Sequence, residues 1–246
     1  MEMLPVLPAT ALDETHPCFD CAVRLTSVCA VLDGTELKKF KQDSPTLRRA
    51  AGETIFMEGD TARHVYTLTS GALRLSKLLA DGRRQIAGFL FPGDFLGITM
   101  EDEHAFTAEA ITDSTLCQFP RARFDNFVDG HPQLERRLYA IAAHELAAAR
   151  RQLVLLGRKT ATERVVSFLL MLSERRNAPC RRGDGEAREE IILPMSRSDI
   201  ADYLGLRIET ISRELSALKV SRLIQLTSTQ TIRLIDRERL EQMAEG

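Results

Sequence analysis

The stretch that most constrains this chain is 196–222, SRSDIADYLGLRIETISRELSALKVSR. Ser196 is placed to cap a helix running through Ile200, Ala201 and Leu204. Gly205 permits a sharp turn. A second helix then carries Ile211, Leu215 and Leu218 on one face. Two short helices joined by a tight glycine turn form a helix-turn-helix. Residues three and four apart are neighbours on a helix, so Glu209, Ser212 and Arg213 share the side away from the apolar stripe. That trio suits base edges. Arginine grips O6 and N7 of a guanine, glutamate accepts from the cytosine amine, and serine is permissive. A helix starting near Ile208 holds all three in its N-terminal half, the part that enters a major groove. A solvated surface helix would be equally amphipathic. The glycine turn, the capped helix before it and the strand pair LIQLTS and TIRLID after it favour DNA reading. Arg197 and Arg207 join Glu209, Ser212 and Arg213 as candidate DNA contacts.

A chain of 246 residues accommodates two domains with separate cores. The net charge of −2 hides an asymmetry: residues 1–145 hold 15 Lys+Arg against 21 Asp+Glu, or −6, and residues 146–246 hold 18 against 14, or +4. The basic half contains the helix-turn-helix, as phosphate neutralisation favours. No apolar run approaches the roughly 18 residues that span a bilayer. The N-terminus lacks the basic-then-apolar pattern of a secretory signal. The expected location is therefore the cytoplasm, with no membrane partner. Histidines 16, 64, 104, 131 and 144 are scattered without ligand spacing, and no His/Ser/Asp or paired-carboxylate constellation stands beside a plausible pocket. An enzyme is not expected.

Residues 46–120 read as short strands broken at Ser70-Gly71, Asp81-Gly82 and Pro92-Gly93-Asp94, the pattern of an antiparallel barrel or roll. Glycines 59, 71, 82 and 93 read as turn formers, not as a phosphate cradle. From about Gln133 to Leu156 nothing breaks a helix. Along it Tyr139, Ala142, Leu146, Ala149, Leu153 and Leu156 recur with alternating gaps of three and four, a coiled-coil seam. The stripe either packs on its own roll or meets a second copy. The seam is weak, because its alanines bury little area. LGRKTATERVVSFLLMLSERR then gives a helix burying Val165, Phe168, Leu169 and Leu172. Arg158, Lys159 and Arg164 lie near DNA or form a solvated face. Residues 177–190 form a polar connection. The turn at Ala80–Gly88 is exposed and charged.

Cys18, Cys21 and Cys29 form C-x2-C-x7-C ahead of the first strand, and Cys117 stands alone in STLCQFP. In a cytosolic chain such clustering reads as metal binding before disulfides. Four thiolates complete either a structural zinc site or an iron–sulfur cluster, and spacing alone does not separate them. Three cysteines on an arm, closed by one from a rigid strand, would tie the arm to the domain body. Cys180, in the polar stretch NAPCRRGDGE, has arginine neighbours able to make it reactive, or it is a loop cysteine without a role.

LPMSRSDIADYLGL followed by ET-x-SR-x-L closely resembles the Crp/Fnr family of bacterial transcription regulators, and Glu209, Ser212 and Arg213 match the E-x-x-S-R of its Fnr branch. The resemblance implies an α+β fold. Its parts are a cyclic-nucleotide-binding-like β-roll, a long dimerisation helix and a winged helix-turn-helix. The boundaries expected are a cysteine-rich arm over 1–32, the roll over 33–131, the dimerisation helix over 132–157 and the DNA-binding domain over 158–246. It implies a parallel homodimer on a palindrome of TTGAT and ATCAA half-sites, and RNA polymerase as a partner through loops such as 80–88. It also favours iron: Cys18, Cys21, Cys29 and Cys117 match the ligands of a 4Fe–4S oxygen sensor one for one, with zinc or no metal as the rival on the same fold. Two departures matter. Arg207 stands where the family has a Thr or Ser able to cap the recognition helix. Phe106 stands where cyclic-nucleotide binders carry the phosphate-holding arginine, beside Glu101, Asp102 and Glu103. A buried phosphate needs cationic or N–H donors, so no cyclic nucleotide is expected. The resemblance thus implies a regulator that senses oxygen through its cluster.

Overall fold

The structure is a computed structural model that describes residues 12, 14–42, 44–99, 101–177 and 190–245. Cys180 and nearly all of the connection at 177–190 lie outside the described residues. The chain divides into two compact units, Met1–Glu145 and Leu146–Gly246, and the division falls inside one long helix.

In the first unit the arm runs through successive tight turns. They are closed by backbone bonds from Phe19 N–H to His16 O, Arg24 N–H to Cys21 O and Ser27 N–H to Val23 O. A 3-10 turn at Val28–Val31 follows, with Ser27 Oγ accepting from Cys29 N–H. Helix α1 (Gly34–Lys41) opens with a reciprocal cap, Asp33 accepting from Glu36 N–H and Glu36 from Asp33 N–H, 2.8 Å each. Eight strands come next: β1 (Thr46–Arg49), β2 (Thr54–Phe56), β3 (His64–Ser70), β4 (Leu73–Leu78), β5 (Arg84–Leu90), β6 (Phe95–Leu96), β7 (Thr107–Ala110) and β8 (Ser114–Pro120). They form two four-stranded sheets, β1-β8-β3-β6 and β2-β7-β4-β5. Every pairing is antiparallel. Phe56, Leu68, Leu73, Leu96 and Leu116 fill the roll between them. The turns fall at the glycines the sequence marks. At Gly71, φ is +90° and a Cβ would stand 2.3 Å from Ser114 Oγ, so only glycine fits.

A second core joins the arm to the roll. Val28, Val31 and Leu32 of the arm, Leu37 and Phe40 of α1, Val65 and Phe119 of the roll and Leu134 form one buried cluster. Leu134 belongs to helix α3 (Pro132–Arg158), which follows helix α2 (Arg121–Asp129). The described part of the arm is therefore packed against the roll.

The second unit holds the helices α4 (Ala161–Asn177), α5 (Arg197–Leu204), α6 (Ile208–Val220) and α7 (Arg237–Glu245). Its strands are β9 (Glu190–Ile192), β10 (Ile224–Leu226) and β11 (Thr231–Leu234). Val165, Phe168, Leu169 and Leu172 of α4 are buried, as their spacing predicts. The sequence pattern suggests a two-stranded wing; the sheet has three strands, ordered β10-β11-β9. The extra strand, EII, pairs with β11 across a long stretch of chain. No helix of the described residues is long and apolar enough to cross a membrane.

Candidate functional site

The three arm cysteines and Cys117 come together. Cys18, Cys21, Cys29 and Cys117 line one pocket, partly open to solvent, with Arg24, Lys41, Thr67 and Thr69 among its other walls. Local structure explains each position. His16 Nδ1 accepts from Cys18 N–H at 3.2 Å, and Cys29 is held in the 3-10 turn by Ser27. Cys117 lies mid-strand in β8, paired with Thr46 of β1 and Thr67 of β3. Cys18 is buried and the other three are half-buried.

Burial pushes the Cys18 thiol up to about 11 and the Cys29 thiol up to about 12, with the neighbouring cysteine sulfurs adding to both. Burial also raises Cys117, against the lowering pull of Lys41, whose Nζ donates to Cys117 Sγ at 3.4 Å. Thiols in such a place bind a metal only by giving up their protons. Among the described residues no three His, Cys, Asp or Glu side chains converge closely enough to hold a single ion. Four thiolates are the ligand set of either one zinc or an iron–sulfur cluster.

Helix α5 has the cap its sequence announces. Ser196 Oγ accepts from Asp199 N–H at 3.0 Å, and Asp199 accepts from Ser196 N–H. Gly205 ends the helix in the left-handed region, φ +61°. Helix α6 buries Ile211, Leu215 and Leu218 and exposes Glu209, Ser212 and Arg213. Arg207 occupies its N-cap without a side-chain hydrogen bond, as its lack of a short oxygen side chain predicts, and is exposed. Ser212 donates to Ile208 O at 3.1 Å, which leaves its hydroxyl oxygen able to accept. Arg213 is steadied by Glu214 at 3.5 Å. Arg197 is half-buried, and its Nη1 has no hydrogen-bond partner among the described residues. Two basic residues near the start of α4 are spent internally. Arg164 donates to the carbonyls of Leu156, Lys159 and Leu204, and Lys159 to Ser167 and Ala244.

On α3, Tyr139, Ala142, Leu146, Ala149 and Leu153 are exposed in the single chain, with Tyr139, Leu146 and Leu153 at 78, 54 and 71%. Leu156 is half-buried and lies against Gly205. In the roll Phe106 and the carboxylates Glu101, Asp102 and Glu103 are exposed. The nearby cations are committed: Arg74 pairs with Glu109, and Arg121 donates to the carbonyls of Thr99 and Glu101. The turn between β4 and β5 is exposed from Leu78 to Arg83. The sequence pattern does not single out Lys41, Thr67 or Arg137. Arg137 of α3 donates to Thr26 O of the arm at 2.7 Å. Each matters only through the tertiary fold, and no local signal points to it.

The profile of the cyclic nucleotide-binding domain matches residues 47–131, and that of the Crp-like helix-turn-helix domain matches residues 163–243. The chain is 45% identical over 229 residues to the nitrogen fixation regulation protein FixK of Bradyrhizobium diazoefficiens, covering 93% of this chain and 94% of that one. It is 36% identical over 225 residues to the transcriptional activator protein FnrL of Cereibacter sphaeroides, covering 92% and 90%. The solved structure of FixK2 from Bradyrhizobium japonicum superposes with a TM-score of 0.74 at 38% identity, over 81% of this chain and 96% of that one.

Proposed function

This chain belongs to the Crp/Fnr family of transcription regulators, and from that premise we propose that it is an oxygen-responsive activator whose signal is a 4Fe–4S cluster held by Cys18, Cys21, Cys29 and Cys117. One observation carries the reading: four thiols from two distant parts of the chain line a single pocket. Iron is preferred to zinc because Cys18, Cys21, Cys29 and Cys117 match the spacing that the resemblance to Fnr-type oxygen sensors implies. When bound, such a centre supplies an oxygen-labile link among four thiolates. Activation is supported by the relatives: FnrL is described as a transcriptional activator.

The chain's own residues do the rest. Arg137 ties the arm carbonyl of Thr26 to α3, and Leu138 and Ile141 of α3 pack on the core that contains Cys18. Order in the arm is therefore felt by α3. The exposed row Tyr139, Ala142, Leu146, Ala149 and Leu153, with Leu156 at its end, meets the same row of a second copy in a parallel homodimer. This seam is marginal, so a coupling of about 1–3 kcal/mol tips it. Two-fold symmetry then sets two α6 helices on a palindrome resembling TTGAT-N4-ATCAA, about one DNA turn apart. Glu209, Ser212 and Arg213 read base edges, and Arg197 and Arg207 reach phosphates. The roll takes no cyclic nucleotide: Phe106 stands where the phosphate-holding arginine is expected, Glu101, Asp102 and Glu103 are exposed beside it, and among the described residues Arg74 pairs with Glu109 and Arg121 donates to the carbonyls of Thr99 and Glu101. The exposed β4–β5 turn is the surface offered to RNA polymerase. The dimer acts in the cytoplasm.

The test is metal and sulfide analysis after anaerobic purification, repeated on serine replacements of the four cysteines. A brown protein with iron and labile sulfide, lost in each replacement, is the expected result. A colourless protein with zinc, or gene control that still responds to air in the replacements as it does in the parent, overturns the proposal.

A further inference from the structure

Two side chains of the cysteine pocket play no part in the reading above. Lys41, the last residue of α1, holds its ammonium 3.4 Å from Cys117 Sγ. Thr67 stands directly across from Cys117 in the β3–β8 ladder. Their side chains leave the same face of the sheet, with Cβ atoms about 4.5–5.5 Å apart. Thr67 is only 2% exposed, and its Oγ1 has no hydrogen-bond partner among the described residues. Both residues line the pocket, and no carboxylate is among the residues that line it.

Each group is out of place beside neutral thiols. A buried hydroxyl without a partner is destabilising, and native cores keep few of them. A thiol is a weak acceptor for an ammonium. What both lack is an anion with open acceptor sites, and thiolates on a metal centre are such an anion. We propose that Lys41 and Thr67 are the donor pair that holds the Cys117 sulfur of the loaded centre, Lys41 by neutralising its charge and Thr67 by a hydrogen bond. They are positioning residues and not ligands. The inference rests on the cluster reading of the pocket and assigns this outer layer to it. Hydrogen bonds and net charge at the sulfurs govern how firmly iron is held and at what potential. A nearby cation favours the reduced form, which carries more negative charge.

The wild-type chain, Lys41→Met, Lys41→Arg and Thr67→Val are purified anaerobically. Iron, sulfide, the rate of iron loss to a chelator and the midpoint potential are measured, together with the melting temperature of each metal-free protein. Lys41→Met and Thr67→Val are expected to load iron but to surrender it about 10- to 100-fold faster. Lys41→Met also shifts the potential to more negative values, and Lys41→Arg restores it. Metal-free Thr67→Val melts no lower than metal-free wild type, because an unpartnered hydroxyl has been removed; a threonine with only a structural role would lower it. A wild type that loads iron, with Lys41→Met and Thr67→Val losing it at the wild-type rate, overturns this inference and leaves the cluster reading standing. A wild type without iron and sulfide overturns both.

Discussion

Arg213 is 71% exposed while its partner Glu214 is 13% exposed. Solvent screens the attraction between them, so the pair orients the guanidinium without consuming it, which on the proposed reading leaves Arg213 to contact a guanine. Replacing it with alanine is expected to cost about 1–3 kcal/mol at one base position and to relax specificity there. Lysine should not restore it, because a point charge does not reproduce two parallel hydrogen bonds. Titration against operators altered base by base measures both. Gly205 shows a different dependence. An added Cβ meets Leu156 only at an ordinary 3.5 Å, so the cost of Gly205→Ala is mainly the backbone at φ +61°. About 1–2 kcal/mol of stability should be lost, read as a lower melting temperature. Gly205 and Ser196 are legible in the sequence because turn and cap chemistry is local. Thr67 and Lys41 are not, because nothing in VYTLTS or KKFKQ shows that β3 will pair with β8 or that α1 will end beside Cys117.

Among the elements, α3 was readable as a long break-free run with alternating three- and four-residue apolar gaps, and it extends over Pro132–Arg158. Its exposed apolar row predicts a clean separation of effects. Leu153→Glu sets like charges against each other across the two-fold axis, yet in one chain Leu153 is already 71% exposed. Sedimentation should therefore find monomer at concentrations where the unaltered chain is dimeric, with the far-UV spectrum unchanged. A dimer that survives this change would place the interface elsewhere. Other elements carried weaker signals. Helix α1 has its cap, Asp33 and Glu36, but its buried apolar side chains are only Leu37 and Phe40, too few to show a period. Helix α2 has Pro120 at its N-cap and no side-chain cap. Strand β9 gains its identity from pairing with β11, which no local pattern announces.

For the whole molecule, the proposed coupling runs from a thiol pocket in the first unit to an operator read by the second, through the arm's hold on α3 and the meeting of two copies. Arg137 is the polar link in that chain, half-buried and bonded to Thr26 O. Arg137→Met keeps most of the packing and removes the bond. It should leave iron content intact while shrinking the difference in dimer fraction between loaded and metal-free protein, as followed by anaerobic sedimentation. Equal differences in the variant and the parent would show that the coupling runs another way. The most direct test of the account is operator affinity, measured on one anaerobic preparation before and after exposure to air. Tight binding that falls as iron is lost is the predicted result, and an affinity unchanged by air would contradict it.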